Sequence, residues 1–337
     1  MNKKSVVVIG GGTGVYAVLT SLKNKGVDLS AIVSMCDDGG STGKLRDDYG
    51  TLPPGDIRRS LIALSSADKD LRKLFKYRFE NGHFKGHSFG NLFLTACEMS
   101  EGNFKNAIKM ASRVLNVQGK VIPVTLTKVT LCGQLGNGAV VRGETNIDIP
   151  KHNPDEKIVR LFTEPKARAN PEALSAIRTA DVLIVGPGDL KTSILPNFLM
   201  KGLPEAISRS RAKKIYVCNL MTKYGETNNY TAADFINEVE DYIGPLDFII
   251  VNTKRPDKER LRKYADEKSI PVTIPSDFYH TGLIKNNVMT IRGYIRHDHK
   301  KLAKALMRII ALDSAATLSH NLPKLRSGAI YIDNPSS

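Results

Sequence analysis

Six glycine-bearing segments of the 337-residue chain carry residues that can bind anions, hold a metal or move a proton. The first, Gly10-Gly11-Gly12-Thr13-Gly14, follows the apolar run Val6 to Ile9 and precedes a second apolar stretch from Val15 to Leu19. A strand running into glycines and then a helix is a common phosphate cradle, because glycine lets the backbone approach the anion and the helix start presents free N–H groups. The dinucleotide fingerprint is matched imperfectly. Counted from Gly10 it places Val15 at the third glycine; counted from Gly12 it gives Gly12, Gly14 and Ala17, an allowed variant two residues late. A tight strand-to-helix turn without a ligand is the alternative.

The second segment is Asp37-Asp38-Gly39-Gly40-Ser41-Thr42-Gly43. Its acids stand roughly where a dinucleotide fold places the carboxylate that takes the ribose hydroxyls. The hydroxyl-bearing Ser41 and Thr42 suit a second phosphate contact, and a paired Asp suits Mg²⁺ or proton abstraction. An Asx turn followed by permissive glycines is the plain structural reading. The third segment is Pro53-Pro54-Gly55-Asp56-Ile57-Arg58-Arg59, with Asp56 expected as a helix N-cap and two arginines at a helix start, where an anionic ligand could offset their unfavourable placement. In the fourth, Gly86 to Leu92, His87, Ser88 and Asn91 are bracketed by glycines. The fifth, Gly186-Pro187-Gly188-Asp189-Leu190-Lys191-Thr192, repeats the strand–glycine–helix arrangement. The sixth runs from Cys218 through Asn219 and Thr222 to Thr227.

The elements that position these segments read as an α/β chain. Strands are expected at Ser5–Ile9, Ala31–Met35, Val121–Leu126, Val182–Val185, Lys214–Cys218 and Phe248–Val251, alternating with amphipathic stretches as in a parallel sheet covered by helices. Between Asp56 and Val117 leucines and other apolar residues recur at three- and four-residue steps, predicting a helical insertion over about 56–117. Residues 128–149 read as short strands or a hairpin. Several motifs therefore fall at carboxyl ends of strands, where open α/β sheets bind ligands. No repeat or linker divides the chain, so one domain over 1–327 and a tail over 328–337 are expected.

Composition narrows the classes. The hydrophobic fraction is 41%, charged residues make up 25%, and no apolar run approaches a membrane span. The opening residues lack the long apolar stretch of a signal peptide, so a cytoplasmic protein is expected. Four scattered cysteines without CxxC argue against a zinc knuckle or disulfide framework. The net charge of +15 is spread evenly, with 20 Lys+Arg against 13 Asp+Glu in residues 1–150 and 29 against 21 after them. Without a basic arm, nucleic-acid binding is not expected.

Taken in order, GGGTG, DDGGSTG, PPGDIRR, GHSFGNL, GPGDLKTSI and CNLMTKYGET resemble the CofD-like superfamily, specifically its YvcK branch of gluconeogenesis factors, from about Lys4 to Arg326. The resemblance implies a Rossmann-like three-layer fold with a mainly parallel sheet and a helical insertion, and a homodimer. It implies a regulator that binds uridine-diphosphate sugars such as UDP-N-acetylglucosamine, acts on cell-wall synthesis and cell shape during gluconeogenic growth, and signals through a protein partner. The CofD branch implies the alternative: a transferase moving a phospholactyl group from a guanosine-diphosphate donor to an alcohol, with Mg²⁺. No tightly bound cofactor is expected. Carried over, the nucleotide and phosphates fall to Gly11, Gly12, Thr13 and Gly14, with Gly188, Leu190 and Thr192 nearby. Asp37 and Asp38 become the metal or acceptor contacts, and the catalytic acids if the protein is a transferase. His87 and Asn91 fall to the diphosphate or sugar, and Asn219 and Thr222 line the cleft. One departure is visible: after Tyr230-Thr231 the family commonly reads an Asp-His pair, and here Asp234 is followed by Phe235. A third function, an NAD(P)-dependent oxidoreductase, fits the first loop but not the hydroxyl-rich second one.

Overall fold

The computed structural model describes residues 3–312 and 330–331. From the N-terminus, β1 (Ser5–Gly10), α1 (Gly12–Leu22) and β2 (Asp28–Val33) form a first βαβ unit. Helices α2 (Gly40–Tyr49), α3 (Gly55–Leu64), α4 (Lys69–Lys76), α5 (Phe89–Glu101) and α6 (Phe104–Val114) intervene before β3 (Lys120–Pro123). A side ribbon follows, made of β4 (Thr130–Leu135), β5 (Val140–Arg142), the short α7 (Glu144–Asp148) and β6 (Ile158–Glu164). The alternation then resumes with α8 (Pro171–Thr179), β7 (Val182–Val185), a π-helical turn at Leu190–Ile194, α9 (Leu195–Phe198), α10 (Leu203–Ser208) and β8 (Lys213–Val217). It ends with α11 (Ala232–Ile243), β9 (Phe248–Asn252), α12 (Lys258–Arg262), β10 (Leu283–Asn286), α13 (His299–Ala311) and β11 (Ile330–Tyr331).

The main sheet runs β3-β2-β1-β7-β8-β9-β10-β11, with every neighbouring pair parallel. Its central strands are apolar on both faces because helices cover both: Val6, Val8, Ile9, Leu183, Ile184 and Val185 are wholly buried. Helices α1, α3 and α13 pack together on the sheet, and α8 to α11 form a second packed group. This is the Rossmann-like α/β architecture. The chain leaves β1 in one direction for β2 and β3 and in the other for β7, so the topological switch point lies between β1 and β7, where ligands of such sheets bind.

Three differences from the sequence expectations bear on the site. The insertion begins earlier, because Gly40-Ser41-Thr42-Gly43 is the first turn of α2 and not a flexible loop. Tertiary contacts rather than an apolar stripe hold this polar helix: Arg46 is buried and donates to the carbonyls of Asp37 at 2.9 Å and Val129 at 2.8 Å. The hairpin expected over 128–149 is present as β4 and β5, but β4 also pairs antiparallel with β6, a strand the residue pattern did not single out. Third, Asp56 is not the N-cap of α3; Pro54 holds that place and the Asp56 carboxylate reaches across to the glycine loop. The tail over 328–337 lies outside the described residues apart from 330–331.

Candidate functional site

A cleft of about 1520 Å³ opens at the switch point. Its floor is formed by the glycine loops after β1 and β7, which close on each other. A β-carbon on Gly14 would lie 1.8 Å from the carbonyl oxygen of Pro187, so position 14 requires glycine for α1 to start against the β7 loop. Gly12, Thr13, Gly14 and Gly188 line the cleft. Gly11 caps α1 behind them. The Gly12 N–H, expected to be open to an anion, donates to Asp56 Oδ2 at 2.7 Å. Asp56 Oδ1 in turn accepts from Arg59 Nη1 at 3.0 Å.

The paired acids of the second segment part company. Asp37 faces the cleft, close to Asp56; burial first, and then the Asp56 charge, push its carboxyl up to about 6. Gly55 lets them approach, since a β-carbon there would sit 2.4 Å from Asp37 Oδ2. Asp38 turns the other way and caps α7, accepting from Glu144 N at 3.0 Å, Thr145 N at 2.8 Å and Thr145 Oγ1 at 2.7 Å. The expected Asp37–Asp38 metal pair is therefore not formed, because the Asp38 carboxylate turns away from the cleft to the start of α7. The two acids that do converge, Asp37 and Asp56, have the chemistry to hold a hard divalent cation, whose charge would relieve their repulsion. Glu144 adds to this acidic wall: burial, followed by the charge of Asp37, pushes it up to about 9.

The helical insertion builds a further part of the lining. Ser88 N-caps α5 and brings Asn91 into its first turn, where Nδ2 donates to Ser41 Oγ at 3.1 Å. Ser41 Oγ also lies 3.2 Å from His87 Nδ1. His87 stands behind Ser41 rather than on the cleft surface, and burial holds its imidazole below the ordinary range. Ser41, Thr42 and Asn91 line the cleft with Arg58, Arg59 and Arg78. Arg58 is buried, gives Nη1 to the Phe75 carbonyl at 3.3 Å, and is pushed down to about 10 by burial and then by Arg59 and Arg78.

At the third side, Lys223 joins the ribbon to the core, pairing with Asp148, with Asp189 at 3.2 Å and with Glu226 at 3.9 Å. The carboxylate oxygens of Asp148, Asp189 and Glu226 lie within 4.8 Å of one another, and the Lys223 ammonium already supplies their cation. Thr192, on the cleft, donates its hydroxyl to Glu226 Oε1 at 3.0 Å, and Thr222 Oγ1 accepts from Ile270 N at 3.0 Å. Both hydroxyls thus brace the walls. Asn219 lines the cleft and gives Nδ2 to Gly188 O at 2.8 Å. Leu190 is buried in the π-helical turn and reaches no cleft surface.

Residues from all six singled-out segments line this one cleft, though not His87, Gly11, Asp38 or Leu190, together with residues the motifs did not single out. Asp56, Arg58 and Arg59 were visible as an acid and two arginines at a helix start, and their misfit with the helix dipole was the signal. Glu144 and Arg78 carry none, since they sit in segments without a motif, and Lys223, though inside the sixth segment, shows nothing there of the acids it pairs with.

A family model described as 2-phospho-L-lactate transferase CofD matches residues 6–293. The chain is 41% identical over 316 residues to a gluconeogenesis factor of Bacillus subtilis, covering 91% of this chain and 98% of the relative. A gluconeogenesis factor of Halalkalibacterium halodurans is 42% identical over 319 residues, covering 91% and 97%. A crystal structure of a UPF0052 family member from Bacillus halodurans superposes with a TM-score of 0.85 at 41% identity, covering 91% of this chain and 99% of that one.

Proposed function

The chain belongs to the CofD family, among the gluconeogenesis factors, and from that premise we propose that its cleft binds a nucleotide sugar of the UDP-N-acetylglucosamine type. In this reading the protein is a cytoplasmic regulator, a homodimer that reports precursor supply to a partner protein and so adjusts cell-wall synthesis and cell shape during gluconeogenic growth. The observation that carries it is a single cleft at the switch point lined by both glycine loops, by Arg58, Arg59 and Arg78, and by the acids Asp37 and Asp56. Such a cleft suits a ligand with a diphosphate between two polyhydroxyl halves.

Mg²⁺ belongs to the same reading. Asp37 and Asp56 would hold it, and its charge would neutralise phosphate oxygens that the two carboxylates would otherwise repel. The protein's own residues do the rest: Asp56 fixes the start of α1, Gly55 keeps Asp37 close, and the Lys223 bridge holds the ribbon against the cleft.

A transferase is the second reading, favoured by one observation. An Asp37 carboxyl raised to about 6 is tuned for taking a proton near neutral pH. Transfer of a phosphoryl-bearing group to an alcohol would break the phosphoanhydride bond and leave a nucleoside monophosphate, with the alcohol proton passing to Asp37. Glycosyl transfer would leave a nucleoside diphosphate. Incubation with UDP-N-acetylglucosamine and Mg²⁺, followed by chromatography, separates the readings. Intact recovery supports the regulator; UMP or UDP formed in proportion to protein and time, and abolished in Asp37→Asn, supports the transferase.

A further inference from the structure

Two buried groups of the insertion have hydrogen-bonding capacity that none of the described residues uses. Arg58 is 8% exposed, and its Nε has no partner. Asn91 is 2% exposed; its Nδ2 is engaged by Ser41, but its Oδ1 has no donor. A buried charged N–H and a buried amide oxygen each carry a desolvation cost when unpaired, so leaving both open on one wall of a cleft marks a place for a ligand. Both residues line that cleft.

The arrangement is built rather than incidental. Gly90 clears the path of the arginine, since a β-carbon there would stand 2.6 Å from Arg58 Cδ and 2.7 Å from the Phe75 carbonyl oxygen. The Phe75 carbonyl accepts Nη1 and fixes the guanidinium. Ser88 at the α5 N-cap accepts from Asn91 N and fixes that residue in the first turn, next in sequence to the Gly90 that meets Arg58. Arg78 also faces the cleft and keeps the local field positive while giving Nη1 to the Gly86 carbonyl, and Arg59 is engaged by Asp56. At the glycine loop, the Gly12 N–H is already given to Asp56, so an anion arriving there meets a carboxylate first.

The two open groups differ in kind. Arg58 needs an acceptor, best an anion, and Asn91 Oδ1 needs a donor. A neutral sugar satisfies the second alone, and inorganic phosphate can meet both only through the single P–OH of its dianion. A phosphorylated polyol satisfies both. We infer that the insertion wall is a sugar-phosphate subsite, taking the phosphate on Arg58 and a sugar hydroxyl on Asn91 Oδ1. The nucleoside half of a nucleotide sugar then lies away from this wall. The inference rests on the nucleotide-sugar reading for its ligand class, and it assigns that ligand's orientation.

Half-ligands test it. N-acetylglucosamine 1-phosphate, inorganic phosphate and UMP are titrated calorimetrically into the full chain, as wild type, Arg58→Met and Arg78→Ala. The sugar phosphate should bind the wild type more tightly than phosphate does. Its affinity should fall about ten- to a hundredfold in Arg58→Met, the scale of a charge-assisted bond, while UMP affinity changes less than about twofold. Arg78→Ala, an exposed position that does not touch the core, should cost about two- to fivefold for the sugar phosphate and nothing for UMP, which keeps the test decisive if Arg58→Met does not fold. The inference is overturned if the wild type does not bind the sugar phosphate, if phosphate binds as well as the sugar phosphate, or if the variants weaken UMP equally. Arginine-dependent sugar-phosphate binding by a protein that ignores every UDP-sugar would retain the subsite and reject the nucleotide-sugar reading.

Discussion

Gly14 and Asp38 mark the two ways in which a residue of this site can matter. A methyl on Gly14 would collide with the Pro187 carbonyl and the Gly188 amide, neither of which is the end of a flexible side chain. Gly14→Ala should therefore destabilise the fold by about 1–3 kcal/mol and weaken ligand binding together, measured by urea unfolding and calorimetry on the same preparation. Gly12 is different: its φ of +62° disfavours any side chain, but the nearest atom to a β-carbon is Ser193 Oγ at 3.4 Å. Asp38→Ala removes three accepted hydrogen bonds at the start of α7 and should cost about 1–2 kcal/mol with ligand affinity changed only secondarily. Asp37→Asn should show the reverse, with stability kept or improved and the Mg²⁺ dependence of ligand binding lost. Equal behaviour of the two variants would remove the distinction between capping and cleft-facing acids. That distinction was not legible in the sequence, where two adjacent acids before two glycines look equivalent; which one faces the cleft depends on α7, more than a hundred residues later.

The elements were legible in proportion to how local their cause is. β1, β7, β8 and β9 are short apolar runs ending at glycine, asparagine or cysteine, and the fold places all four side by side at the sheet centre. Helix α11 announces itself through Thr231 and Asp234, which form a reciprocal capping box, and Phe235 beside them is fully buried packing. The departure from an Asp-His pair is thus filled by core. Helix α2 and strand β6 were not legible as elements, because their stability comes from partners: Arg46 bonding to Asp37 and Val129, and β4 offering a second edge. The bridge that ties the side ribbon to the core was hidden for the same reason. Lys223→Met would leave Asp148, Asp189 and the buried Glu226 without their cation. Its cost should approach, without reaching, the ~3–5 kcal/mol of a fully buried pair, since Lys223 is about one-third exposed. Hydrogen exchange should then rise in residues 130–164 before it rises in the main sheet; uniform exchange across both sheets would contradict the bridge's role.

At the scale of the whole molecule, a strongly basic chain gathers acids at its cleft. The net charge of +15 coexists with Asp37, Asp56, Glu144 and Asp148 around one opening. The acids Asp37 and Glu144 carry raised carboxyl values, about 6 and about 9, so the folded state binds protons more tightly than the unfolded chain. Their contribution to stability is fully present below the ordinary carboxylate range and is lost as pH rises through those values. Without divalent cations the protein should therefore lose thermal stability between about pH 4.5 and 9, and Glu144→Gln should flatten the upper part of that decline. An unchanged profile in that variant would show that Glu144 is not the group responsible. Mg²⁺ should bind more tightly as pH rises, because it competes with protons for the same oxygens.

The central claim is that this acid-and-arginine cleft takes a nucleotide sugar. It is tested most directly by calorimetric titration of the full chain with UDP-N-acetylglucosamine, GDP and NAD in parallel, with and without Mg²⁺. The account predicts saturable one-site binding of UDP-N-acetylglucosamine, strengthened by Mg²⁺, with GDP and NAD at least tenfold weaker. Binding of NAD or GDP in preference to the UDP-sugar would contradict it and assign the cleft to a different ligand.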